Sequence, residues 1–260
     1  MPARRARYVR HGRLVCATAA VLAAALLATA LANAQGFRRR VLVDDHVPPN
    51  TEVVASRWRF GTNGLIGHTG WSHNYPRSER NLNSFVAQST RIDVETDSYK
   101  LIDLGSEEIF LHPYAYVSEP GEMELTEQEV LNLREYVDRG GFVLIDDFDD
   151  QYGYDHMANL REEMSRVFPD RHFERLTVDH PIFDLIFRVR DLKTLEPYGS
   201  GGELVYFALR NAAGEVAVVA CFNNDLANFW DWYGNARYPL APATEAFRMG
   251  VNFLVHSLTH

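Results

Sequence analysis

Beyond residue 50 the apolar positions fall into short runs separated by amphipathic stretches. Residues 142–145 (Phe142, Val143, Leu144, Ile145) and 216–222 (Val216 to Phe222) are almost wholly apolar and rich in β-branched side chains, the pattern of strands covered on both faces. Weaker strand patterns lie at 52–60, 91–95, 107–111, 173–176 and 204–209. The turn residues Asn211 and Gly214 between 204–209 and 216–222 predict an antiparallel hairpin. Helical spacing appears at Asn81, Leu82, Phe85 and Val86, at Val130, Leu133, Tyr136 and Val137, over 157–168, and over 243–258. Thr126 and Glu129 form a capping-box pattern ahead of the second of these, and Gly140 stands where a left-handed cap would end it. Strands alternating with helices predict a three-layer α/β fold, a flavodoxin-like sheet with helices on both faces and an antiparallel edge hairpin.

The first residues follow a different pattern. Arg4, Arg5, Arg7, Arg10 and Arg13 precede an Ala- and Leu-rich run over 14–31, and Ala32-Asn33-Ala34 matches an export cleavage site. This predicts a signal peptide over 1–34, an exposed leader over 35–50 and a single domain over 51–260, in an exported protein of the periplasm or cell envelope. Membrane contact is expected only through the signal segment, if it stays uncleaved. Cleavage removes Cys16 and leaves Cys221 alone, so no intrachain disulfide is available and the fold rests on its core.

Cleavage also removes five arginines and no acid from 26 basic and 35 acidic residues, leaving a net charge of −14. Such a balance argues against nucleic acid as a partner and favours a cation or a cationic partner.

In an open α/β sheet the ligand crevice lies at the carboxyl ends of the strands. The run 142–145 ends in Asp146 and Asp147, the run 107–111 in His112, and the run 216–222 in Asn223, Asn224 and Asp225. If these strands are parallel, the polar groups converge on one crevice. Asp146, Asp147 and Asp225 are candidate metal ligands, and such oxygen donors suit Mg²⁺, Ca²⁺ or Mn²⁺. Adjacent carboxylates leaving a strand point to opposite sides, so one of Asp146 and Asp147 is expected to face the crevice, while Asp149 and Asp150 read as solvent groups. His180, before Pro181, is a further candidate ligand residue or the fixed point of an extended turn. Trp71, with His73, Asn74 and Tyr75, belongs to a long Gly- and aromatic-rich segment that suits a lid, and Trp230, Asp231, Trp232 and Tyr233 suit a second platform or core packing. No G-x-S-x-G elbow, phosphate loop or dinucleotide glycine pattern occurs.

The order Arg57 to Gly61, Asn81-Leu82, Y-V-D-R-G-G-F-V-L-I-D-D over 136–147, Arg161 to Pro169, and Asp179-His180-Pro181 resembles a family of bacterial exported proteins, domain of unknown function 4159. That family is similar to class I glutamine amidotransferase-like proteins, in which a cysteine occupies a tight turn after a strand. The resemblance implies that Asp146 and Asp147 stand where that cysteine would be, and a carboxylate there forms no thioester. Its members' association with ATPase and von Willebrand-type components implies an envelope protein partner. Two readings follow: a ligand- or protein-binding domain that has lost its nucleophile, or a metal-dependent hydrolase of an envelope substrate using Asp146, Asp147, His112 and Asp225.

Overall fold

Seven strands form one sheet in the order β2-β1-β3-β4-β7-β6-β5. They span Ser56–Arg59 (β1), Lys100–Asp103 (β2), Tyr114–Ser118 (β3), Phe142–Phe148 (β4), Glu174–Arg175 (β5), Val205–Arg210 (β6) and Val216–Phe222 (β7). The computed structural model describes residues 51–62, 70–96, 100–150, 155–195, 202–235 and 238–260, all within the compact unit Asp44–His260. The predicted signal peptide 1–34 and leader 35–50 lie outside the described residues. Among the described residues no helix is long and apolar enough to cross a membrane.

β2, β1, β3, β4 and β7 are parallel neighbours, and β6 pairs antiparallel with both β7 and β5. The parallel strands therefore run in the doubly wound 2-1-3-4-5 order, whose switch point lies between β1 and β3. Alternate residues of each strand feed opposite layers, as the pleat requires. Tyr114, Tyr116, Phe142 and Leu144 meet helices Arg77–Ser89 (α1), Leu226–Asp231 (α4) and Leu240–Thr259 (α5). Ala115, Val117, Val143 and Ile145 meet Glu127–Asp138 (α2) and His156–Val167 (α3) on the other face. The fold is thus a three-layer α/β sandwich with an antiparallel edge.

Local chemistry explains the element ends. Thr126 Oγ1 accepts from the Glu129 amide, and Glu129 Oε2 accepts from the Thr126 amide at 2.8 Å, which closes the capping box at α2. The other oxygen of Glu129 accepts from Gly61 N at 2.9 Å, tying the end of β1 to the same helix start. Gly140 takes φ +92°, a left-handed conformation that a side chain would strain, and so ends α2.

Two predicted strands are misplaced. Residues Glu107–Leu111 form a 3-10 turn, capped by Ser106 and burying only Ile109, and the strand proper begins at Tyr114. Residues 91–95 contribute a single bridge from Val94 to Val53, and the edge strand is Lys100–Asp103. Ile92 and Val94 alternate but pair only at one bridge, and the apolar run Ile109-Phe110-Leu111 closes into a turn instead of joining a neighbour.

Candidate functional site at the carboxyl end of the sheet

The described chain has four non-glycine residues at positive φ: Asn74 (+61°), Glu119 (+50°), Asp147 (+66°) and Asn223 (+58°). Such conformations are costly for residues with a side chain and tend to collect at functional sites. Glu119 follows β3, Asp147 lies in the last turn of β4, and Asn223 follows β7. The ladder between β4 and β7 is irregular at this point. It re-forms through Asn223 N to Phe148 O (2.9 Å) and Asp147 N to Asn224 O (3.2 Å). The left-handed turns at Asp147 and Asn223 thus lock the two strand ends together and set the directions of their acids.

Asp146 and Asp147 diverge, as the pleat demands. Asp146 is fully buried, and its Oδ2 accepts from Tyr116 OH (2.7 Å) and from Ala227 N at the start of α4 (3.1 Å). No donor reaches Oδ1. Burial, aided by the charge of Asp147 and opposed by the Tyr116 hydrogen bond, pushes the Asp146 carboxyl up to about 7. Asp147 turns toward β3 and the loop after β1, where its Oδ2 meets Ser118 Oγ at 3.0 Å and His73 Nδ1 at 2.5 Å.

Glu119 completes this cluster, with Oε1 3.7 Å from His73 Nδ1. Burial, then the neighbouring Asp147 charge, raises its carboxyl to about 7, while the Asp147 hydrogen bond raises the His73 imidazole from its ordinary value. One potential ligand atom from each of His73, Glu119 and Asp147 lies within 4.8 Å of the other two. Asp225 abuts them: its carboxyl comes within hydrogen-bonding range of that of Asp147, and burial followed by the charges of Asp147 and Asp146 pushes it well above the carboxylate range. Asp225 Oδ1 caps α4 through Asn228 N (2.8 Å), whereas no donor reaches its buried Oδ2.

The loop bearing His73 is held from below by Arg57 of β1. Its guanidinium is fully buried, bonds Glu79 of α1 at 2.6 Å, lies 4.2 Å from the Tyr116 ring centroid, and donates to the carbonyls of Trp71 (2.9 Å) and His73 (3.1 Å). This buried charge is fully matched. Among the acids above it, Asp146 Oδ1 and Asp225 Oδ2 receive no donor.

The predicted site residues divide accordingly. Asp146, Asp147, Asn224 and Asp225 come together, although Asn224 is turned into the core, donating to Tyr206 OH at 2.8 Å. Trp71 joins through its backbone, its ring facing Arg59 at 5.7 Å. His112 does not join. It precedes β3 at the amino end of the sheet, because the strand expected to end there is the 3-10 turn Glu107–Leu111. His180 also lies at that end, near Arg210, where its ring accepts from Ile182 N at 3.3 Å. The ligand set Asp146, Asp147, His112 and Asp225 therefore does not assemble around one ion. Asp149, expected in solvent, is buried, and Asp150 Oδ1 accepts from Met157 N at the start of α3. Trp230 is core, whereas Trp232 is partly exposed with Arg77 stacked at 4.8 Å.

Sequence reasoning missed Glu119 and Ser118 and read His73 only as part of a lid. The available signal was the apolar run Tyr114 to Val117, ended by Ser118 and Glu119 before Pro120-Gly121.

Fold and site define a flavodoxin-like α/β protein with a largely buried cluster of acids in left-handed backbone at its switch-point edge. The chain belongs to the family described as Domain of unknown function (DUF4159), whose model matches residues 58–258. No curated protein matches it.

Proposed function

We propose that the protein is a binding domain of the cell envelope, exported through its signal peptide, whose carboxyl-end crevice receives a positively charged ligand where amidotransferase-like relatives would hold a cysteine. The observation that carries this reading is the convergence of Glu119, Asp147 and Asn223, all in left-handed backbone, with the buried acids Asp146 and Asp225. Backbone strain is retained where something over-determines it, and unmatched buried carboxylates favour cations.

Thioester chemistry has no support at this position. Asp147 stands in left-handed backbone near the end of β4, and the one cysteine of the domain, Cys221, is buried within β7 with its thiol pushed up by burial.

The test is a thermal-shift series on the purified protein with polyamines, basic amino acids, amino sugars and divalent metal ions, set against neutral sugars and anions. The expected result is stabilisation by a cation that disappears in Asp147→Asn, with no ammonia released from glutamine. Glutamine hydrolysis, or an Asp147→Asn protein that responds like wild type to every cation, overturns the reading.

A further inference from the structure

We infer that His73, Glu119 and Asp147 form a three-ligand site for a divalent transition-metal ion, with zinc the best fit. The inference rests on the reading of the crevice as a cation site and names the cation.

The three donors come from three separate elements at the switch-point edge: the loop after β1, the residue after β3, and the end of β4. Their ligand atoms lie within 4.8 Å of one another, with His73 Nδ1 3.7 Å from Glu119 Oε1 and 2.5 Å from Asp147 Oδ2. Tetrahedral zinc with N and O ligands at about 2.0–2.2 Å separates neighbouring donors by roughly 3.4 Å. The His73 to Glu119 spacing already suits that figure, and the His73 to Asp147 pair needs to open by about 1 Å as a metal ion replaces the shared proton. His73 is half-exposed at the rim, so its ring has room for that movement.

Donor chemistry narrows the ion. One imidazole with two carboxylates suits zinc or manganese better than Mg²⁺ or Ca²⁺, which prefer all-oxygen shells. Three protein donors leave a fourth position open to water or to an external group.

Neighbouring side chains hold these donors in position. Ser118 Oγ donates to Asp147 Oδ2 at 3.0 Å and fixes the carboxylate's direction, the service that outer residues perform for ligating carboxylates. Arg57 pins the carbonyls of Trp71 and His73, which sets the imidazole's origin.

An independent observation also points to a cation at this place. The Asp225 side chain is over nine-tenths buried, its carboxyl lies against that of Asp147, and no donor reaches its Oδ2. That oxygen is a buried acceptor with no donor, facing the carboxylate on which the ion would sit.

The experiment is titration of the tag-free, chelator-treated full chain with Zn²⁺ by calorimetry, and with Co²⁺ by visible absorption. One equivalent per chain is expected, with the intense visible bands of four-coordinate cobalt. His73→Ala and Glu119→Gln should each weaken Zn²⁺ at least tenfold, Asp147→Asn should abolish the event, and His112→Ala at the other end of the sheet should leave it unchanged. His73→Ala removes a half-exposed side chain, and its fold is checked by circular dichroism. Mg²⁺ and Ca²⁺ should bind at least a hundredfold more weakly. Absence of Zn²⁺ binding, or binding undiminished in folded His73→Ala, overturns the inference and leaves an ordinary His73–Asp147 ion pair. If organic cations stabilise the protein in an Asp147-dependent way while Zn²⁺ does not bind, the metal falls and the binding-crevice reading stands. If zinc binds as expected but glutamine is hydrolysed, the metal stands and that reading falls.

Discussion

The two ends of the sheet use the same kinds of polar residue to opposite effect. At the amino end three polar side chains are answered by the backbone: Tyr136 OH donates to the His112 carbonyl (2.8 Å), His180 accepts from Ile182 N, and His256 Nε2 donates to Val216 O (2.7 Å). At the carboxyl end the side chains answer one another, His73 to Asp147, Asp147 to Ser118, and Asp225 against Asp147. A polar group bonded to the backbone is consumed by the fold. One that faces another titratable group stays available to a ligand.

Arg57 is the sharpest instrument for breaking this contrast, because it lies beneath the carboxyl end yet is as well satisfied as anything at the amino end. Arg57→Met strands buried Glu79 and frees the Trp71 and His73 carbonyls. Loss of one partner of a buried pair costs about 3–5 kcal/mol, and urea unfolding should show a loss of that size. The double variant Arg57→Met/Glu79→Gln should recover much of it. A single-variant loss under about 1 kcal/mol would mean that the pair is solvated and the two ends differ less than the geometry indicates.

Asp146 supplies the next largest effect, with the opposite sign. Its folded carboxyl is raised to about 7, chiefly by burial, so the native state binds more protons than the unfolded chain between about pH 4 and 7. Stability from this group is therefore present at low pH and lost as pH rises through about 7. Asp146→Asn keeps an oxygen for Tyr116 OH and Ala227 N and removes the charge. The variant should be more stable than wild type near pH 8, by on the order of 1–3 kcal/mol, and indistinguishable below about pH 4. Equal stability at both pH values would show that Asp146 is not an uncompensated buried acid.

The sequence made most of the frame readable, for a physical reason. β4 and β7 are buried on both faces and announce themselves as apolar runs, while Thr126, Glu129 and Gly140 mark the limits of α2 through chemistry local to a few residues. The carboxyl-end acids were legible because they follow those runs at once. His73 and Glu119 were obscured because their role depends on which strands are neighbours. Glu107–Leu111 carries enough apolar residues to pass for a strand, and placing it there shifted the expected histidine to the wrong end of the sheet. The left-handed backbone at Glu119, Asp147 and Asn223 is likewise not fixed by residue type, although Asn and Asp tolerate it best, since the ladder closing between strands distant in sequence sets which of them adopt it.

His256 offers the smallest effect and tests the amino end on its own terms. Burial holds its imidazole below the ordinary value, against the pull of the Val216 carbonyl, with His260 and His180 lowering it further and Glu215 raising it. The unfolded chain therefore binds more protons than the native state as pH drops below about 6.5, so stability present above that value is lost on acidification. His256→Gln retains a donor for Val216 O and does not titrate. Between about pH 7 and 5 wild type should lose about 1 kcal/mol more than the variant, read as the difference between two thermal-unfolding series. A histidine consumed by the fold should show this acid sensitivity alone, with Zn²⁺ shifting wild type and His256→Gln by equal amounts. A zinc response that depends on His256 would dissolve the distinction between the two ends.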